Sequence, residues 1–191
     1  LIRLIAPVNR SLCTRGLKHF EPTVLHETYY PRKPILINGA ARVTTIHDMI
    51  HERFPESFSK FDKTSQFKRA AVERADHIIC VSHNTKRDLC EMFGVSPERV
   101  SVVHLGFERF NAVQHQAHRP PTDRPFVLFV GNRRGYKNFE GMLHAIASRH
   151  ELSEELDIIA FGGGSFSHAE LKLIHNLGLR PNSVLQSSGD D

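Results

Sequence analysis

A short loop over residues 131–137 carries the residue types best suited to holding a phosphate group. Arg133, Arg134 and Lys137 place three cations within five residues, with glycines at 131 and 135. An apolar run before the loop predicts a buried strand, and apolar residues at helical spacing after it predict a helix. Unpaired backbone N–H groups at a helix start attract anions, and glycine lets a ligand approach the backbone. The loop therefore predicts a mono- or diphosphate site, although solvated surface cations would give the same pattern.

This loop differs from two familiar phosphate-binding sequences. Neither G-x-x-x-x-G-K-[ST] nor G-x-G-x-x-G occurs in it. We therefore attribute the predicted binding to the cations, to Gly131 and to the following helix start, and not to either of those fingerprints.

Polar residues also end two predicted strands in the first half of the chain. One strand delivers His47 and Asp48 to its carboxyl end, and another ends with His26 and Glu27. Ligands of open α/β sheets bind beyond the carboxyl ends of the strands, so both pairs are site candidates. A surface pair is an equal alternative for the second of them.

Metal binding is disfavoured for the histidines near this strand end. His47, Asp48 and His51 could suggest a site, but zinc needs three or four converging ligands. No further Cys or His has a recognisable spacing, so we predict no metal.

A glycine triplet, Gly162, Gly163 and Gly164, follows the predicted strand over 156–161. Such a triplet between a strand and a helix lets the backbone come close to a ligand, although a tight turn explains it nearly as well. The next helix is predicted from the capping-box spacing of Ser167 and Glu170.

Strands and helices alternate along the whole chain, which predicts parallel sheets of an α/β protein. Residues 1–20 are predicted to be partly helical, interrupted at Pro7 and Gly16. Low hydrophobicity and three prolines mark residues 108–125 as a linker between two domains, 1–107 and 126–191. Strands are predicted over 23–27, 42–46, 77–81, 100–104, 126–130 and 156–161 and from 183, and helices over 65–75, 86–93, 139–148 and 167–177.

Charge and composition narrow the class of partner. Residues 1–75 hold 13 Lys and Arg against 7 Asp and Glu, whereas the rest is slightly acidic. A basic half suits an anionic partner such as a membrane surface, or is a solvated face. The sequence shows neither aromatic residues interleaved with basic ones nor a helix dense in basic residues, so we predict no nucleic acid partner. No apolar run reaches 18 residues, and the three unpaired cysteines favour a reducing compartment.

Taken together, the residues resemble the middle of a GT-B-fold, family 4 glycosyltransferase, a group of retaining nucleotide-sugar enzymes that includes bacterial mannosyl- and rhamnosyltransferases. The resemblance runs in one order over residues 23–186. It is carried by V-T-T-I-H-D-M-I at 43–50, A-D-H-I-I-C-V-S at 75–82, T-K-R-D-L at 85–89, S-P-E-R-V-S-V-V at 96–103 and F-V-G-N-R-R-G-Y-K-N at 129–138.

The resemblance implies roles for individual residues. It assigns the donor diphosphate to Arg133 and Lys137 in the loop that begins at Gly131. Tyr136 stands where the family has a basic residue, which places more of the phosphate binding on Arg133 or Arg134. The resemblance makes His47 and Asp48 the candidate catalytic pair. It also implies that His26 and Glu27 lie on the acceptor side and that the glycine triplet 162–164 lies beside the nucleotide.

The family also implies an architecture and an activity. We expect two Rossmann-like domains, each incomplete because the family's N-terminal glycine-rich loop and its E-x7-E signature have no match. A piece of a longer protein, inactive by itself, is therefore expected. The implied activity is metal-independent transfer of mannose or a related hexose, GDP-mannose being preferred, to a polysaccharide or lipid-linked glycan such as O-antigen. It needs no cofactor and suits a cytoplasmic protein at the inner face of a membrane.

Two other functions fit the same residues. A GT-B-like sugar-nucleotide epimerase would convert the donor without any acceptor. A non-catalytic protein that binds sugar nucleotides would keep the fold and lack turnover.

Overall fold

A computed structural model describes residues 2–107 and 120–188. The backbone separates into two compact units that divide between residues 108 and 109. Most of the predicted linker, residues 108–119, lies outside the described residues, and residues 120–125 contain no helix or strand. Both units are α/β with parallel sheets, which confirms the predicted fold class.

Unit 1 contains a parallel four-stranded sheet. Its strands pair in chain order, β1-β2-β3-β4, so every connection must return the chain to the same end of the sheet. The strands are β1 (Val24–Glu27), β2 (Ala41–Ile46), β3 (His77–Cys80) and β4 (Val100–Val102).

The helices of unit 1 are α1 (Ile2–Phe20), α2 (Ile50–Arg53), α3 (Thr64–Arg74) and α4 (His83–Phe93). The predicted end of α4 at Phe93 is confirmed, and Gly94 follows it with a φ of 69°. The helix begins at His83, three residues before the predicted start, because the Ser82 hydroxyl caps it by accepting from the Thr85 N–H. Three short 3-10 turns lie in the described chain, at Pro55–Ser57, Pro97–Arg99 and Gly135–Lys137.

The first helix differs from the prediction because it continues through both Pro7 and Gly16. Proline removes the hydrogen bond to the residue four positions earlier, and here that is a single bond close to the helix start. Glycine costs a helix interior only about 1 kcal/mol. No described helix is long and apolar enough to cross a membrane.

Apolar side chains from the sheet and from α3 and α4 form the core of unit 1. Ile46, Ile78, Cys80 and Leu89 are completely buried there. Burial raises the pKa of the Cys80 thiol to about 12, so this thiol stays protonated. All three cysteines are free, as their spacing predicted.

Unit 2 contains a parallel three-stranded sheet in the order β5-β6-β7. Its strands are β5 (Phe126–Val130), β6 (Asp157–Phe161) and β7 (Val184–Ser187), and its helices are α5 (Phe139–Ala147), α6 (His150–Glu155) and α7 (His168–Asn176). The predicted capping box at the start of α7 is confirmed. The short helix α6 was not predicted.

The prediction that β5 is buried is wrong for three of its five side chains. Val127 and Phe129 pack against the core that α5 and β6 share. Successive side chains point to opposite faces of a strand, so Phe126, Leu128 and Val130 lie on the other face and are exposed.

Candidate functional site

The cationic loop of unit 2 begins at the carboxyl end of β5 and ends at the start of α5. Gly131 has a φ of 107°, a conformation that side chains rarely adopt. After the turn Gly135–Lys137, the Asn138 side chain caps α5 by accepting from the Gly141 N–H at 3.2 Å. The strand and the helix thus fix both ends of the loop.

Arg133 is the buried cation of this loop, with 6% of its surface exposed. Its Nε donates to Glu170 Oε1 at 2.7 Å. Its Nη1 donates to the carbonyls of Gly162 and Gly164, and its Nη2 donates to the Ser165 carbonyl at 3.0 Å and to Glu170 Oε2 at 3.5 Å. The guanidinium therefore faces the glycine loop of its own unit.

Arg134 and Lys137 are the exposed cations of the loop. Within residues 2–107 and 120–188, no hydrogen bond or ion pair is found for the Arg134 guanidinium. The Lys137 Nζ donates to the Val130 carbonyl at 3.1 Å, folding back across Gly131. A Cβ at position 131 would lie 2.4 Å from this Nζ, so a side chain there would displace the end of the lysine.

The glycine triplet lies directly beside the cationic loop. All three glycines have positive φ, between 71° and 85°. A Cβ on Gly163 would lie 2.9 Å from Arg133 Nη1 and 3.2 Å from the Gly131 carbonyl. Unit 2 therefore brings together the predicted residues Gly131, Arg133, Arg134 and Lys137 with the triplet 162–164. A small cavity there is lined by three of these residues, Arg133, Arg134 and Gly163, together with Asn132, Ser165, Ser167 and Glu170.

The carboxylate of Glu170 is the acidic group of this cluster. The hydrogen bond from Arg133 holds its pKa well below the ordinary value, at about 2, and bonds from Ser167 act in the same direction. Glu170 is thus ionised at neutral and mildly acidic pH, and it balances the buried arginine.

In unit 1, His47 lies just beyond the end of β2, as predicted. Its Nε2 bonds the Thr28 carbonyl at 3.0 Å. A carbonyl only accepts, so Nε2 carries the proton in this bond, and the lone pair of neutral His47 lies on Nδ1. The His47 N–H donates to the Tyr30 hydroxyl at 3.3 Å.

Both the side chain and the backbone carbonyl of Asp48 accept hydrogen bonds. Its Oδ1 accepts from the Ile50 N–H at 3.0 Å at the start of α2, and its carbonyl accepts from the Lys68 Nζ at 2.8 Å. Lys68 is 1% exposed and also bonds Glu52 Oε2 at 2.7 Å. A buried ion pair therefore supports the segment that carries His47 and Asp48.

His26 and Glu27 lie at the end of β1 in different surroundings. The exposed His26 Nε2 bonds the Thr45 hydroxyl at 2.7 Å. Glu27 is buried, and its two oxygens bind Arg42 at 2.8 Å and Arg74 at 2.9 Å. Glu27 thus joins three elements of unit 1, and the acceptor-side role of the pair stays a prediction.

A metal ion requires several ligands that converge on one point. Among residues 2–107 and 120–188, no group of three or more His, Cys, Asp or Glu converges as metal ligands would. His51 instead stacks on Phe58, with ring centroids 3.8 Å apart.

Sequence reasoning did not predict the buried ion pairs, among them Lys68 with Glu52 and Arg133 with Glu170. The first had a usable signal. Lys68 lies three and four positions before Ala71 and Val72, which places it on the apolar face of α3. The second had none, because 37 residues separate its partners.

Comparison with known proteins gives a family match and two curated relatives. Residues 2–109, more than half of the chain, match the model of Glycosyltransferase Family 4. Alpha-maltose-1-phosphate synthase of Mycolicibacterium smegmatis is 27% identical over 143 residues, which are 67% of this chain and 36% of that protein. D-inositol 3-phosphate glycosyltransferase 2 of Catenulispora acidiphila is 32% identical over 120 residues, 57% of this chain and 28% of that protein. The chain thus spans about a third of the length of these relatives.

A solved structure supports the fold. The crystal structure of a glycosyltransferase from Rickettsia africae superposes with a TM-score of 0.60 at 16% identity. The match covers 96% of this chain and 51% of that one. At this identity the likeness shows the fold alone.

Proposed function

This chain belongs to glycosyltransferase family 4, and from that premise we propose that the native gene product transfers a hexose from a nucleoside diphosphate sugar. Mannose or a related sugar is the proposed hexose, with GDP-mannose as the preferred donor. The proposed acceptor is a polysaccharide or lipid-linked glycan, such as O-antigen, and the transfer proceeds with retention of the anomeric configuration.

The observation that carries this proposal is the pair of exposed cations beside the glycines of unit 2. Arg134 and Lys137 are exposed and lie on either side of Gly135, just before the helix start of α5. Breaking a sugar–diphosphate bond develops negative charge on the leaving group. Fixed cations and backbone N–H groups stabilise that charge without reorganising as the bond breaks. We assign the diphosphate to Arg134 and Lys137 and the nucleotide side to the triplet 162–164.

His47 is the proposed catalytic residue of unit 1. Its ring is oriented by the bond from Nε2–H to the Thr28 carbonyl. The other ring nitrogen, Nδ1, is then the atom that meets a sugar hydroxyl or the reacting centre. Asp48 is proposed to assist through its partly exposed carboxylate, which lies 3.7 Å from the Lys68 ammonium.

The proposed reaction uses neither a metal nor a cofactor. Arg134 and Lys137 supply the positive charge that a divalent ion would otherwise bring to the diphosphate. The donor sugar nucleotide is then a substrate only.

The test is to incubate the native gene product with a panel of nucleotide sugars and acceptors, with and without EDTA. The acceptors include a lipid-linked glycan and D-inositol 3-phosphate, the latter because of the name of the Catenulispora acidiphila relative. We expect acceptor-dependent release of nucleoside diphosphate that EDTA does not change. Donor conversion without an acceptor would indicate the epimerase, and binding without turnover would indicate the non-catalytic protein. Absence of any nucleotide binding would exclude all three.

A membrane surface is the proposed site of action, at the cytoplasmic face. Helix α1 contains no Asp or Glu, and it exposes Leu12 and Phe20 together with the basic residues Arg15 and Lys18. Such a helix lies in a membrane interface with its apolar side inserted.

This proposal predicts co-sedimentation of the protein with vesicles that contain phosphatidylglycerol. Each basic residue near an anionic surface contributes about 1 kcal/mol, so Arg15→Gln with Lys18→Gln should weaken binding roughly thirtyfold. Lys172→Gln on α7 is the control. Equal binding to neutral and anionic vesicles would contradict the electrostatic part of the proposal.

A further inference from the structure

We infer that Arg133 positions the glycine loop for the nucleotide through a buried bridge to Glu170, and is not itself a ligand of the diphosphate. The inference rests on the proposed function, because it concerns the same site. It divides the three cations of the loop into two kinds. Arg134 and Lys137 are the binding residues, and Arg133 is a positioning residue.

The first argument is the number of hydrogen-bond donors. A guanidinium has five N–H groups. For Arg133, all five are directed at acceptors within unit 2: the two carboxylate oxygens of Glu170 and the carbonyls of Gly162, Gly164 and Ser165. A phosphate oxygen could bind this guanidinium only by displacing one of these acceptors.

Burial is the second argument. The Arg133 side chain is only 4% exposed, and its guanidinium carbon lies 4.7 Å from the centre of the Phe166 ring and 6.0 Å from that of Phe139. Phe139 is the first residue of α5. The guanidinium therefore lies against the start of the helix that follows the cationic loop, as well as against the glycine loop.

Glu170 extends the same bridge to α7. Its Oε2 accepts from both the N–H and the hydroxyl of Ser167 at 2.7 Å, while the Ser167 hydroxyl accepts from the Glu170 N–H at 3.3 Å. One carboxylate thus binds Arg133 and completes the capping box. The segment 162–167 is fixed at its glycine end by Arg133 and at its helix end by Glu170.

The glycine loop in turn fits closely around Arg133. The small clearance at Gly163 leaves no room for a side chain between the guanidinium and the Gly131 carbonyl. The two halves of the proposed nucleotide site, the cationic loop and the glycine loop, therefore have the Arg133 side chain as their shared support. Loss of either partner of the bridge should loosen both loops together.

The test compares Arg133→Ala, Glu170→Ala and the double variant with Lys172→Ala, an exposed cation of α7. Titration calorimetry of the protein with GDP and with UDP measures affinity. A positioning role predicts that both single variants weaken binding about tenfold or more. The double variant should be no weaker than either single one, because the residues act as a unit. Millimolar guanidinium should restore binding to Arg133→Ala, and Lys172→Ala should bind normally.

A direct phosphate contact predicts the opposite result for Glu170. Removing the carboxylate would free the guanidinium, so Glu170→Ala would bind GDP or UDP as tightly as the wild type or more tightly. That outcome would overturn the inference.

Hydrogen exchange of the 162–167 amides gives a second readout that does not depend on nucleotide binding. Arg133→Lys and Glu170→Gln are milder changes that serve if the alanine variants do not fold. Faster exchange of these amides in both variants supports the positioning role. Unchanged exchange refutes it. If the wild type binds no nucleoside diphosphate, the proposed function fails, whereas the exchange result still decides the role of Arg133.

Discussion

Replacing Lys137 with Ala should lower the rate of the proposed sugar transfer about 10²- to 10³-fold. The expectation follows from the position of the ammonium group, which is exposed and lies across Gly131 at the end of β5. A cation aimed at the leaving diphosphate stabilises the transition state more than the bound donor, so its loss lowers kcat and not only affinity.

The measurement is steady-state kinetics with the donor and acceptor identified in the panel experiment. Arg149→Ala, which removes an exposed cation just before α6, is the matched control and should leave kcat unchanged. Lys137→Arg should recover part of the rate because it keeps the charge. If Lys137→Ala raises KM and leaves kcat intact, the lysine only binds the donor, and the proposed role in the chemical step is wrong.

The second large effect is expected from Lys68→Met in unit 1. This change leaves the buried carboxylate of Glu52 without its cation, and removing one partner of a buried pair typically costs about 3–5 kcal/mol. It also removes the donor to the Asp48 carbonyl, so the segment carrying His47 should become less ordered. Urea unfolding, with hydrogen exchange at β2 and β3 to report on unit 1 alone, measures the loss of stability.

A double variant, Lys68→Met with Glu52→Met, provides the control for this prediction. Replacing both ions with apolar residues leaves no uncompensated charge, so most of the lost stability should return. Transfer activity should return less fully, because the donor to Asp48 is still missing. A single variant as stable as the wild type would show that the pair contributes nothing to the fold.

Local patterns predicted much of this fold. Ser82, Gly94 and the Ser167–Glu170 pair mark helix ends through bonds that span only a few residues, so the sequence contains the whole interaction. The strands were likewise visible as short apolar or β-branched runs. For the same reason, the cationic loop and the glycine triplet could be located from the order of the residues alone.

The hydrogen-bond partners and the burial of these side chains could not be predicted, because they depend on residues that are distant in the sequence. Glu27 meets Arg74 across 47 residues, and three cations that look equivalent in sequence differ in burial once the sheet forms. The pattern of β5 misled for a related reason. An apolar run does not say how many faces of a strand its neighbours will cover.

That uncovered row on β5 has a consequence for handling the protein. The side chains of Leu128 and Val130 are more than half exposed. In addition, β5 is an edge strand of the sheet of unit 2, because among the described residues only β6 pairs with it. Open strand edges with apolar side chains are templates for intermolecular pairing. Concentrated samples of the chain should therefore self-associate over time, beginning at β5, and dilute, cold storage should delay the onset.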